Sequence, residues 1–157
     1  MNIESTFDDF HINGNKVEGE VQKIRTREND EGLPQSIVTK ELSIIWEDGT
    51  ETEISSERTR VKIEGSNSWF WGDDVIEITG SSTHSNSEGT NRELKIVEPL
   101  IRSFACKFII SGIVKIESDN GTRTINYGDG TCDGIATVEK NGESREFQLR
   151  KKQRFSK

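Results

Sequence analysis

CKFIISGIVKIESDNGTRTINYGDGTCDGIATVEKNGESREFQL, residues 106–149, is the stretch whose reading decides the fold. Short runs in which apolar side chains alternate with polar ones are separated by Asn120-Gly121, by the glycine-rich run 128–134 and by Asn141-Gly142. A period of two is that of an extended chain with one face turned to a core. Asn-Gly pairs tolerate the positive φ that two-residue hairpins require. The pattern predicts four strands, at 106–118, 122–127, 135–140 and 144–150, joined by tight turns.

Upstream of this stretch the same signals recur. Strands are expected at 6–12 and 16–27 around Asn13-Gly14, with Gly19 marking a bulge, and at 36–47 and 50–64 around Asp48-Gly49. Residues 1–5 read as loose and 28–34 as a loop. A strand at 75–79 should end in a long hairpin tip, GSSTHSNSEGTN at 80–91, which holds no large apolar residue. The strand 92–97 should stop at Pro99, which lacks a backbone donor, and 100–105 reads as a helical turn or a crossing loop. Apolar residues never recur at helical spacing over three turns. The expected fold is all-β, an antiparallel sandwich or an extended meander of about ten strands joined by tight hairpins, with little or no helix. It forms a single domain over 1–157, with a basic tail at 151–157.

Composition bounds what such a chain can do. With 30% hydrophobic and 31% charged residues and a mean hydropathy of -0.72, it sits near the range of disordered chains. The period-two pattern and the scarcity of proline point instead to an ordered protein with a shallow core. The formal net charge is -7, and Arg150, Lys151, Lys152, Arg154 and Lys157 cluster in the tail, so the body is more acidic still. A body this acidic does not read as a nucleic-acid binder, which needs a positive face to displace counterions. The short basic tail reads as solvated, with contact to an acidic partner or phospholipid heads as the alternative. No run approaches the length of a membrane helix. No apolar segment follows Met1, so the chain is expected to be cytosolic, or Met1 to replace a removed leader.

Three groups of residues could carry chemistry. Cys106 and Cys132 would form a disulfide in an exported protein and stay free thiols in the cytosol. A metal site or a catalytic thiol would need a third partner that His11 and His84 are poorly placed to supply. Asp129 and Asp133, in the turn YGDGTCDG, offer hard oxygen ligands for calcium, but the spacing is not that of an EF-hand, and aspartates that bond their own turn explain them equally. The third group is Trp69, Phe70, Trp71, Asp73 and Asp74. Alternation would put both tryptophans on one face beside carboxylates, as on a sugar-binding surface, while core or edge packing is the plainer account of the aromatics. Adjacent aspartates on a strand point to opposite faces, which suits glycosidic cleavage badly. Phosphate loops, nucleophile elbows and HExxH motifs are absent.

The run C-x-x-x-x-S-G-x-V-x-I from Cys106, followed by INYGDGTCDGIATV at 125–138 and Asn141-Gly142, resembles a family of uncharacterised exported or lipid-anchored proteins of Bacteroidota. DDVIEITG at 73–80, Pro99-Leu100, and Asn13-Gly14 to Gly19 match its landmarks, so the likeness covers most of the chain. Two departures are Gly134, where the family often has asparagine, and the absence of a leader with a lipid-bearing cysteine. The resemblance implies no activity. It implies a cell-envelope or extracellular location, a possible lipid anchor in a full-length precursor, and a Cys106–Cys132 disulfide. The expected function is a non-enzymatic envelope or surface β module that meets a protein or glycan at the cell surface, without cofactor, nucleic acid or transmembrane segment. The alternatives are a carbohydrate-binding or glycan-processing protein using Trp69, Trp71, Asp73 and Asp74, and a calcium-dependent adhesin-like domain with the ion at Asp129 and Asp133.

Overall fold

The computed structural model describes residues 1–149; the basic tail at 151–157 lies outside them. Ten strands follow one another: β1 (Asn2–Ile12), β2 (Asn15–Thr26), β3 (Gln35–Ile45), β4 (Glu51–Glu64), β5 (Val75–Asn86), β6 (Asn91–Ser103), β7 (Ile109–Ser118), β8 (Gly121–Asp129), β9 (Ile135–Lys140) and β10 (Glu143–Gln148). A single turn of 3-10 helix, Trp71–Asp73, precedes β5. The strands form one antiparallel sheet in the order β1 to β10, an open meander. Each strand contacts its ladder neighbours and scarcely any other element, so among the described residues no second sheet covers the first.

One layer leaves both faces wet. The accessible surface is 11378 Å², well above the roughly 8,000 Å² expected of a compact chain of 17.7 kDa. The buried apolar side chains are Leu100, Cys106, Val114 and Ala136, all in the C-terminal half. There residues 104–108 and 130–134 meet, tied by the Cys106–Cys132 disulfide with 5.8 Å between Cα atoms. Gly134 lies against the Phe108 ring, where an added Cβ would come within 2.8 Å. Closing a loop of 26 residues contributes roughly 3 kcal/mol in the chain-entropy account, a large share for a core this small.

The sheet's wetness explains where the expected boundaries fail. Residues 1–5 are not loose: Asn2 to Ser5 pair with Ile24 to Val21, and the Met1 ammonium donates to the Arg25 carbonyl at 2.8 Å. The segment 80–91 is not a long hairpin tip either, since β5 continues to Asn86 and the turn is only 87–90. Its Ser81, Ser82, Thr83, His84 and Ser85 bond to ladders on both sides without needing an apolar partner, because neither face is buried. Pro99 does not end β6. The strand runs through it to Ser103, with register shifts against β7 from Ile96 to Arg102 that accommodate the missing donor. Gly112 of β7 makes this possible: at φ 111° it admits the Pro99 carbonyl where a Cβ would sit 2.3 Å from that oxygen.

Connection length sorts the two ends of the sheet. Asn13-Gly14 and Asn141-Gly142, all four residues at positive φ, make tight turns at one end. The turns 46–50 and 86–90 share that end and one backbone design: the Trp46 and Asn86 amides donate to the Thr50 and Thr90 carbonyls, and the Trp46 and Asn86 carbonyls accept from the Gly49 and Gly89 amides. The longer connections, 27–34, 65–74, 104–108 and 130–134, all lie at the opposite end, together with Met1 and Leu149.

Candidate anion-binding face

At the disulfide corner, each aspartate of the GDGTCDG run holds its own turn. Asp129 accepts from the amide and hydroxyl of Thr131, which draws its carboxyl below the usual range, and Asp133 accepts from the Ile135 amide at 2.9 Å. Among the described residues no group of three or more His, Cys, Asp or Glu side chains is placed to hold a metal ion. With both cysteines bonded, no free thiol is present.

The aromatic segment differs from expectation. Residues 69–71 are neither strand nor core: they lie in the β4–β5 loop, so strand alternation does not apply, and Trp69 is fully exposed while Phe70 and Trp71 are 71% and 76% exposed. The loop is nonetheless built. The Ser68 hydroxyl donates to Asp73 at 2.8 Å and accepts from the Phe70 amide at 3.2 Å, and the Phe70 ring folds over Gly72. Asp74 is ion-paired with Lys62 at 2.7 Å. Asp73 and Asp74 are thus committed to the loop and to β4, and do not stand free beside the tryptophans.

The arrangement missed at the level of sequence is a segregation of charge. Cross-strand partners share a face and neighbours along a strand do not. The register therefore puts Lys23 and Arg25 of β2, Lys40 of β3, and Arg58, Arg60 and Lys62 of β4 on one face, with Ile76 and Ile78 of β5. Glu18 and Glu20, Glu41, Glu53 and Glu57, and Glu77 occupy the other. The cations gather towards the long-loop end of their face and border a groove of about 880 Å³, lined by Lys23, Arg25, Arg27, Arg60 and Lys62 with Met1 and Ser36. Among the described residues Asp74 is the one carboxylate lining it, and Lys62 already pairs with it.

Pairing separates the faces further. Lys16 and Lys115, on the acidic face, are bound to Glu18 and Glu117 of their own strands at 2.6 and 2.5 Å; Asp9 also approaches Lys16, and the Lys16 pKa rises mainly through the Glu18 bond. Lys23, Arg25, Arg58 and Arg60 have no carboxylate within 4.0 Å among the described residues. Arg25 and Arg60 flank Ser36, one on each side in the ladder, so their backbones are about 10 Å apart. The Ser36 hydroxyl between them is buried and has no hydrogen-bond partner among the described residues. A buried hydroxyl left unbonded costs about 1–3 kcal/mol, and the two guanidiniums on either side of its strand are free to take an anion between them.

The signal was present in the sequence. Lys23, Arg25 and Arg27, and again Arg58, Arg60 and Lys62, recur at spacing two, while Glu51, Glu53 and Glu57 take the alternate positions of β4. Net charge sums over both faces and hides it. Comparison with family models, with curated proteins and with solved structures returned no match for this chain.

Proposed function

We propose that this protein is a non-enzymatic envelope or surface module that binds an anionic partner on the basic face of its sheet. The observation that carries this reading is the groove lined by Lys23, Arg25 and Arg60, none of which has a carboxylate within 4.0 Å among the described residues. A location outside the reducing cytosol is supported by the disulfide. No helix among the described residues is long and apolar enough to cross a membrane. The resemblance to exported Bacteroidota proteins points to the same compartment.

The segregated faces remove the objection that net charge raised. A protein of sequence pI about 5.0 is repelled by a polyanion at long range, yet salt shortens that repulsion to a Debye length of about 8–10 Å, within which only the apposed face matters. Chromatography on immobilised dextran sulfate at pH 7 and about 0.1 M salt tests the reading. The wild-type chain should be retained and elute as salt rises, and Arg25→Glu/Arg60→Glu should pass through. Lys151→Gln/Lys152→Gln/Arg154→Gln, which neutralises most of the tail, should still be retained. Passage of the wild type, or retention that depends on the tail alone, contradicts the proposal.

A further inference from the structure

We infer that the anionic partner is the headgroup surface of a negatively charged lipid bilayer, entered by Trp69, Phe70 and Trp71. The inference rests on the anion-binding reading above and names its occupant. Three consecutive large aromatics held in water are a liability unless something apolar receives them, and tryptophan and phenylalanine suit the boundary between headgroups and acyl chains. The bonds of Ser68 and the 3-10 turn fix their presentation before any contact is made, which lowers the ordering cost of docking.

Position joins the aromatics to the cations. The loop leaves the end of β4 that carries Arg60 and Lys62, and the Lys62–Asp74 pair ties its far end back to that strand. One connection further along the sheet, Arg102, placed on the basic face by its pairing with Ile76, sits 5.3 Å from the centre of the Phe104 ring, which is itself 40% exposed. The cationic groove and the exposed aromatics of two neighbouring connections thus share one end of the sheet. Glu28, Asp30 and Glu31 of the β2–β3 connection stand at the same end and oppose an end-on approach. The contact is therefore face-on, with Glu41, Glu57 and the rest of the acidic face turned to water. A single-stranded polyanion would need stacking rings spaced along its track, whereas these rings are grouped on one loop beside the cations.

Sedimentation with vesicles tests this, using phosphatidylcholine alone and phosphatidylcholine mixed with phosphatidylglycerol. The wild type should bind the mixed vesicles, and brominated lipid should quench its tryptophan emission. Trp69→Ser/Phe70→Ser/Trp71→Ser should bind mixed vesicles at least about tenfold more weakly yet remain on dextran sulfate. Arg25→Glu/Arg60→Glu should lose both, with vesicle affinity down on the order of tenfold or more. Undiminished vesicle binding by the aromatic variant overturns the inference, as does equal wild-type binding to neutral vesicles. Retention on dextran sulfate without vesicle binding also overturns it, leaving the anion-binding reading intact with a soluble polymer as partner. Failure on both supports removes the two together.

Discussion

Strands β6 to β9 and strands β1 to β5 belong to one sheet but are stabilised differently. The former bury Leu100, Val114 and Ala136, and two of their connections are joined by a disulfide. The latter bury no apolar side chain, and their half-exposed aliphatics alternate with charges on both faces. In the corner, stability comes from apolar burial and a covalent tie; in the open region it rests on the backbone ladder and on cross-strand pairs worth about 0.2–1 kcal/mol each. The difference separates structure from function: residues that would be costly to change sit in the corner, whereas the unpaired cations and the aromatic loop occupy the region that can be altered cheaply.

Disulfide loss should have the largest effect. Cys106→Ser/Cys132→Ser should lose about 2–5 kcal/mol in chemical denaturation, with amide-exchange protection falling first in β7 to β9. Equal loss of protection across β2 to β4 would break the distinction between the regions. Next comes a matched pair of truncations. Leu100→Ala should cost about 2–5 kcal/mol, and Leu42→Ala, at a half-exposed site, less than half as much. Equal costs would mean that something covers the open region in solution. Smaller again is Arg25→Glu/Arg60→Glu, expected to change stability by no more than about 0.5 kcal/mol while abolishing polyanion retention. A large destabilisation there would make these cations structural.

The smallest effect sharpens the corner through its one tyrosine. Burial raises the pKa of Tyr127 above its ordinary value of 10.0. Its neutral form is thus favoured in the fold, so the contribution is complete below the unfolded pKa and is lost as pH rises through the folded one. Tyrosinate absorbance should appear at higher pH in the native protein than in urea; coincident curves would place Tyr127 in water.

How much of this was legible follows from the same contrast. Hairpins at Asn13-Gly14, Asp48-Gly49 and Asn141-Gly142 are readable because turn chemistry is local, and the alternation in β7 is readable because it has a buried face. The polar strand 80–86 and the strand start at 2–5 are not, because apolar periodicity signals a core and these residues face none. Pro99 misleads for a different reason: its accommodation depends on Gly112, a neighbour in space and not in sequence. At the candidate site the aromatics stand out in the sequence but their exposure does not, since exposure is a tertiary property. The cationic face was readable in the spacing of Arg58, Arg60 and Lys62, and was lost in the net charge.

The central claim is that anion binding belongs to the basic face and not to the disulfide corner. An amide-resolved NMR titration with inorganic triphosphate addresses it directly. The account predicts that the largest shifts fall at Lys23 to Arg27, Gln35 to Val38 and Arg58 to Lys62, converging on Ser36 and weakening with added salt. Shifts confined to Asp129 to Gly134 or to the basic tail, with Ser36 unmoved, would contradict it.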